Sequence, residues 1–297
     1  MLSHRFLTLA DIRHFIELTC DDGLLVDIIT HENELAFQNG ITLSLLVDEQ
    51  IGQEPKKLVA ALWGHFIHDW YFDEFCQQDE PWLMNASKVT FDQGRNPFVT
   101  FAEAPTVDGF SLLIVAHDLL PSPNGEPKVN LHEYLMRYFV FYHSGWKLNR
   151  IIAEPVGEED RNNLILNGWK VVTDYVHKRH LEEKIPTLLT IDRETALAGH
   201  DAFMVRLFIY RARAVTLSLA EKELMRVARL GSYTDVDLAK ELGITVDAIK
   251  KRWKSVYAKL SAALPNLLAQ NQIGGRGPEN RRKVIDYIRE HPELLWP

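Results

Sequence analysis

The densest chemistry in the 297-residue sequence lies in Thr245-Val246-Asp247-Ala248-Ile249-Lys250-Lys251-Arg252-Trp253-Lys254. Ala248, Ile249, Val256 and Leu260 recur at helical spacing and read as a buried stripe. The opposite face then shows Lys250, Lys251, Arg252 and Lys254, a cationic surface suited to a polyanion. Lysine is a donor and a point charge, fit for guanine edges or phosphates. Thr245 is placed to cap the start of this helix, with Asp247 in its first turn. Three other groups of residues could do chemistry. His65, His68 and Asp69 stand at metal-ligand spacing if they share a helix. No second pair accompanies them, and Cys20 and Cys76 form no CxxC motif, so no metal is expected. His117-Asp118 and His143 suggest acid–base work, but no nucleophile or cofactor motif joins them, so no catalytic residue and no cofactor is expected. Trp63, Phe66, Trp70, Tyr71, Phe75 and Trp82 could line a pocket for a small apolar effector or simply pack the core.

The elements that must carry these groups follow from patterning. Leu9, Ile12, Phe15 and Ile16 predict an amphipathic helix over 8–20, continued over 21–40. Ile41 to Val47 reads as a strand or a helix end, and Lys56 to Cys76 as a ring-rich helix. Lys88–Phe91, Phe98–Ala102 and Phe110–Ala116 read as short strands between Gly94, Pro97, Pro105 and Gly109. Pro121-Ser122-Pro123-Asn124-Gly125 marks a loop. A helix over 129–143, a strand over 148–154, a short helix over 158–167 and a strand over 169–176 follow. This mixture without regular βαβ alternation predicts an α+β domain over 1–198. A linker helix is expected over 199–214, a helical domain over 215–262 and a helical tail over 263–297.

Charge divides the chain in the same way. Residues 215–297 hold 14 Lys+Arg and 10 Asp+Glu, whereas the other residues hold 19 and 31. An acidic larger part and a basic smaller part suggest two jobs. A hydrophobic content of 46% and a charged content of 25% fit a folded protein and exclude long disorder. Two cysteines cannot build a disulfide scaffold, and no apolar run is long enough to span a bilayer, so a cytoplasmic protein is expected.

In the basic part, Ser218 and Glu221 form a capping-box pair, Gly231 ends that helix, and Gly243 supplies a tight turn before Thr245. Helix, glycine turn and basic helix make a helix-turn-helix pattern. Leu217 to Leu260 resembles the LuxR/GerE-type DNA-binding domain. The likeness is carried by Leu217, Ser218, Glu221, Glu223, Leu224, Ala228, Gly231, Leu238, Ala239, Leu242, Gly243, Ile244, Thr245, Ile249, Lys250, Tyr257, Lys259 and Leu260. The resemblance implies double-stranded DNA as partner, a homodimer, and contacts from Thr245, Asp247, Lys250, Lys251, Arg252 and Lys254. Departures from the family pattern are Ala248 and Arg252 and an entry to the second helix, Thr234 to Leu238, that is one residue longer.

Phe110 to Val176 is similar to the second half of a GNAT acetyltransferase fold, with Gly145-Trp146 stepping into a strand and Asn167-Gly168-Trp169 into the next. In that fold, backbone N–H groups of a Gly-rich turn cradle the coenzyme A pyrophosphate. Here the turn would be His117 to Asn130, and Pro121, Pro123 and Pro127 remove three donors. The expectation is a degenerate, non-enzymatic GNAT-like sensor domain joined to a helix-turn-helix, acting as a homodimeric bacterial transcriptional regulator. The alternative is an acetyl-CoA-dependent N-acyltransferase fused to a DNA-binding domain.

Overall fold

The computed structural model describes all residues except 1, 21–22, 51, 54, 79–80, 105, 121–129, 176–185, 200–201, 211–213, 230, 232, 269–277 and 296–297. The chain forms two compact units, residues 1–140 with 147–209, and residues 141–146 with 210–297.

The first unit is built on a seven-stranded sheet of order β1-β2-β3-β4-β5-β7-β6. Its strands are β1 (Leu2–Arg5), β2 (Thr42–Glu49), β3 (Lys57–Ile67), β4 (Phe110–Leu119), β5 (Leu148–Ala153), β6 (Lys170–Asp174) and β7 (Thr187–Asp192). The helices are α1 (Leu9–Thr19), α2 (Gly23–Asn39), α3 (Asp69–Phe75), α4 (Leu83–Asp92), α5 (Leu131–His143), α6 (Glu158–Leu166), α7 (Arg193–Ala198) and α8 (Ala202–Leu207). All neighbouring strands pair antiparallel except β4 and β5, which α5 joins as a parallel crossover.

One face of the sheet carries two apolar clusters. Ile12, Phe15 and Ile16 of α1 and Val26 of α2 pack with Leu46, Leu58, Ala61 and Trp63. Tyr71, Phe72 and Phe75 of α3 and Leu83 and Met84 of α4 pack with Ile67, Leu113, Ile152 and Leu188. The alternate residues Leu112 and Ile151 are equally buried and point to the other face. Gly64 lets β3 and β4 approach at the point where their register shifts, since a Cβ there would strike the Leu113 carbonyl.

The expected helix over 56–76 is corrected to β3 followed by α3. Leu58 to Ile67 is buried throughout, so the strand reads as an unbroken apolar run that periodicity cannot separate from a buried helix. The expected strand at Lys88–Phe91 is part of α4, and Phe98 makes only an isolated bridge to Ile67. The Pro121–Gly125 loop lies outside the described residues.

In the second unit the described elements after residue 209 are helical. They are α9 (Leu219–Ala228), α10 (Asp235–Glu241), α11 (Val246–Ala263), α12 (Pro265–Leu268), α13 (Pro278–Glu290) and a short 3-10 turn, Pro292–Leu295. Ser218 caps α9 with Glu221, Thr234 caps α10 with Asp237, and Thr245 accepts from Ala248 N at the head of α11. Gly243, at φ +63°, makes the turn between α10 and α11.

Candidate active site

Parallel pairing of β4 with β5 runs from Phe110↔Leu148 to Ile114↔Ala153 and stops there. Strand β4 continues to Leu119, held by β3 alone among the described residues. Val115 is the extra residue of a bulge, because Ala116 faces Trp63 while Ile114 faces Gly64. The β5 chain turns the other way at Pro155, whose carbonyl accepts from Thr187 N at the start of β7. Val156 then bridges Pro186. The sheet therefore opens into a gap at the carboxyl ends of its two parallel strands. In open α/β sheets, that is where ligands enter. The β4 backbone edge from Val115 to Leu119 faces the gap without a strand partner among the described residues.

Glu154, the first residue after β5, stands on the face shared with Ile152. Its two carboxylate oxygens accept from Trp82 N at 3.0 Å and Leu83 N at 2.8 Å, the first amides of α4. The side chain is half-buried, and burial pushes its pKa up to about 7 against the two amide hydrogen bonds. Trp82 holds this arrangement at φ +72°, left-handed backbone that no other described non-glycine residue adopts. Tyr71 donates to Leu83 O at 2.6 Å and fixes the same turn. Glu32, buried on α2, has its pKa raised to about 7 by burial. With its amide nitrogen turned toward Glu32, Asn85 donates to both carboxylate oxygens at 2.7 and 3.0 Å. Helix α4 is thus held by two carboxylates whose protonation changes near neutral pH.

The other face of the gap is framed by His117 and α5. Ala116 packs with the α1 cluster, so His117 points away from it, and its ring meets His132 in the first turn of α5. Where the two strands diverge, Glu154 lies on one face of the sheet and the His117–α5 corner on the other.

The structure separates the residues proposed as one aromatic pocket. Trp63 packs edge-on against Phe15, while Phe66 meets Phe110 on the opposite face. Tyr71 and Phe75 are core, Trp70 lies under Arg95, and Trp82 is exposed at the head of α4. Only Trp82 and Tyr71 reach the Glu154 corner, so the six do not line one cavity. His65 lies on β3, not on a helix with His68 and Asp69, and is fully buried. Its Nδ1 accepts from Thr42 Oγ1, and its Nε2 donates to Asn33 Oδ1, which also accepts from Trp63 Nε1. Burial lowers its pKa to about 3, so the ring is neutral.

In the second unit Lys250, Lys251 and Lys254 are exposed, as are Thr245 and Asp247. Arg252 is not on that face. It turns back to donate to Ala220 O at 3.0 Å and to reach Glu223 at 3.5 Å, since position 252 lies over α9. Trp253 is buried and stacks with Tyr257. Sequence reading missed Glu154 as a site residue, as well as Glu32 and Asn85.

No protein-family model matches the sequence, and no curated protein matches it. Among solved structures the chain is similar to the loading GNATL domain of CurA from Lyngbya majuscula, at 13% identity over 65% of this chain and 98% of that one, with a TM-score of 0.38. It is also similar to a spermidine N-acetyltransferase SpeG chimera from Vibrio cholerae and hSSAT, at 11% identity over 66% and 98% with a TM-score of 0.36. A third is an acetyltransferase from Streptococcus agalactiae 2603, at 12% identity over 64% and 98% with a TM-score of 0.34.

The expectation of a non-enzymatic, DNA-binding regulator finds no support in these matches, which are two acetyltransferases and a GNATL domain. The physical case against catalysis rested on Pro121, Pro123 and Pro127, which lie outside the described residues. No described helix is long and apolar enough to cross a membrane.

Proposed function

We propose that the first unit is an acyltransferase that moves an acyl group from a thioester of the coenzyme A class to an amine. The observation that carries this reading is the divergence of β4 and β5 after Ile114 and Ala153, which opens a gap through the sheet. An extended amide-bearing arm can lie along the Val115–Leu119 edge and take the hydrogen bonds that a neighbouring strand would otherwise make. A gap through the sheet lets donor and acceptor approach from opposite faces and meet in the middle. That arrangement supplies the proximity on which a two-substrate transfer depends.

Glu154 stands at this meeting point as the general base. A carboxylate with a pKa near 7 can take a proton from an ammonium or amine at neutral pH and is not yet fully protonated there. The freed nitrogen attacks the thioester carbonyl, the C–S bond breaks, an amide forms, and the thiol leaves with one proton. The α4 amides hold the carboxylate in place during transfer.

Release of free thiol from acetyl- and longer acyl-coenzyme A, followed against a panel of mono- and polyamines, tests the reading. Turnover is expected with at least one amine, together with saturable binding of the acyl-thioester. If the full chain shows no acyl-thioester binding at millimolar ligand and no amine-dependent thiol release, the reading is wrong.

A further inference from the structure

We propose that His117 and His132 form a binding site for a transition-metal cation of the Zn²⁺, Ni²⁺ or Cu²⁺ class, linking the free end of β4 to the first turn of α5. The inference rests on the imidazole pair alone and does not depend on acyl transfer. His117 Nε2 and His132 Nδ1 lie 3.2 Å apart, with the rings inclined at 77°. Two nitrogens bound at ~2.0–2.1 Å to one tetrahedral ion stand roughly 3.3 Å from each other. In the absence of an ion the same contact is a hydrogen bond between the two rings, so a bound cation would take the place of the shared proton.

The chemistry of the pair points to the class of cation. Imidazole suits zinc, nickel and copper, whereas magnesium and calcium select oxygen. Both residues are exposed, so an ion and its waters can reach them. The two ligands come from a strand and a helix, not from a loop, which fixes their spacing before any ion arrives. No group of three His, Cys, Asp or Glu among the described residues could hold a metal, so water completes the coordination shell.

The test is calorimetric titration of the full chain, prepared without a polyhistidine tag and stripped with chelator, using Cu²⁺, Ni²⁺, Zn²⁺ and Mg²⁺. One ion per chain is expected, with Cu²⁺ bound more tightly than Ni²⁺ or Zn²⁺ and no uptake of Mg²⁺. His117→Ala and His132→Ala should each weaken the site by at least about tenfold, in line with the loss seen when a metal's supporting shell is disturbed. Unchanged circular dichroism and melting temperature show that the variants fold, as expected for two exposed side chains. The protein has 12 histidines, so uptake that survives in the His117→Ala/His132→Ala double variant places the metal elsewhere and overturns the proposal. So does the absence of stoichiometric uptake by the wild type. Acyl-thioester binding measured in chelator reports separately on the acyl-transfer reading.

Discussion

In the second unit Glu221, at the third position of α9, is surrounded by donors. Lys259 Nζ reaches it at 2.7 Å, Ser255 Oγ at 2.6 Å and Ser218 N at 2.6 Å. Burial alone would raise its pKa, but these partners hold it down to about 2. In the first unit Glu154 also sits at the start of a helix, yet among the described residues its donors are two backbone amides, and burial raises its pKa to about 7. The same side chain is a permanent anion in one place and a group that exchanges a proton near neutrality in the other. The difference is the cation and the hydroxyl. A carboxylate with three donors on it, one of them a lysine, is a clamp between α9 and α11. A carboxylate with no cation against it among the described residues, beside the point where β4 and β5 part, can act as a base.

Variants can break this contrast at either end. The largest effect is expected from Glu154→Gln, which should lower the rate of amine-dependent thiol release about 10²–10⁴-fold. The amide keeps an acceptor for one of the two α4 N–H groups, so the fold should lose only about 1 kcal/mol. Glu221→Ala should leave that rate untouched and lower stability by about 2–4 kcal/mol, read from urea unfolding, because it strips the α9 cap and leaves Lys259 and Ser255 unpaired. For Glu221 the folded pKa is depressed, so its stabilisation is present above the unfolded value of about 4.5 and fades as pH falls toward about 2.

His65 supplies a pH dependence of its own. Its folded pKa is lowered to about 3 by burial, so the neutral ring is favoured and its contribution is complete above the unfolded value of 6.5. Below that, stability should fall by about 1.4 kcal/mol per pH unit down to about pH 3, and His65→Gln should flatten this limb. Smaller still, Trp82→Gly should stabilise the protein by about 0.5–1 kcal/mol, since glycine accepts φ +72° without strain. Lys250→Ala, Lys251→Ala and Lys254→Ala, all at exposed positions, should each stay within about 0.5 kcal/mol of wild type.

Local signals were legible where one side chain closes one turn. The Ser218–Glu221 capping box, the Thr245 cap and the positive φ of Gly243 all follow from residue types a few positions apart. Strand β3 was not legible, because burial on both faces erases the alternation that marks a strand. Val89 and Phe91 favour strands, yet they lie in α4, where Leu83, Met84 and Ser87 are buried. The site was the least legible part. Glu154 meets Trp82 and Leu83 across 72 and 71 residues, and no spacing rule links them. The gap itself is a property of strand pairing, set by where β5 leaves β4 and by the Val115 bulge. The best-patterned stretch, 217–260, drew the functional expectation toward the second unit for the same reason. Helix caps and glycine turns advertise themselves in sequence, and a diverging pair of strands does not.

The pH–rate profile of acyl transfer tests most directly whether Glu154 is the base. For wild type, kcat/KM with the best amine should rise with a limb near pH 7, as the Glu154 carboxyl loses its proton. In Glu154→Gln that limb should disappear and the residual rate should be low across the range, while acyl-thioester binding is retained. A variant with wild-type rate and an unchanged limb would contradict the assignment of Glu154 as base.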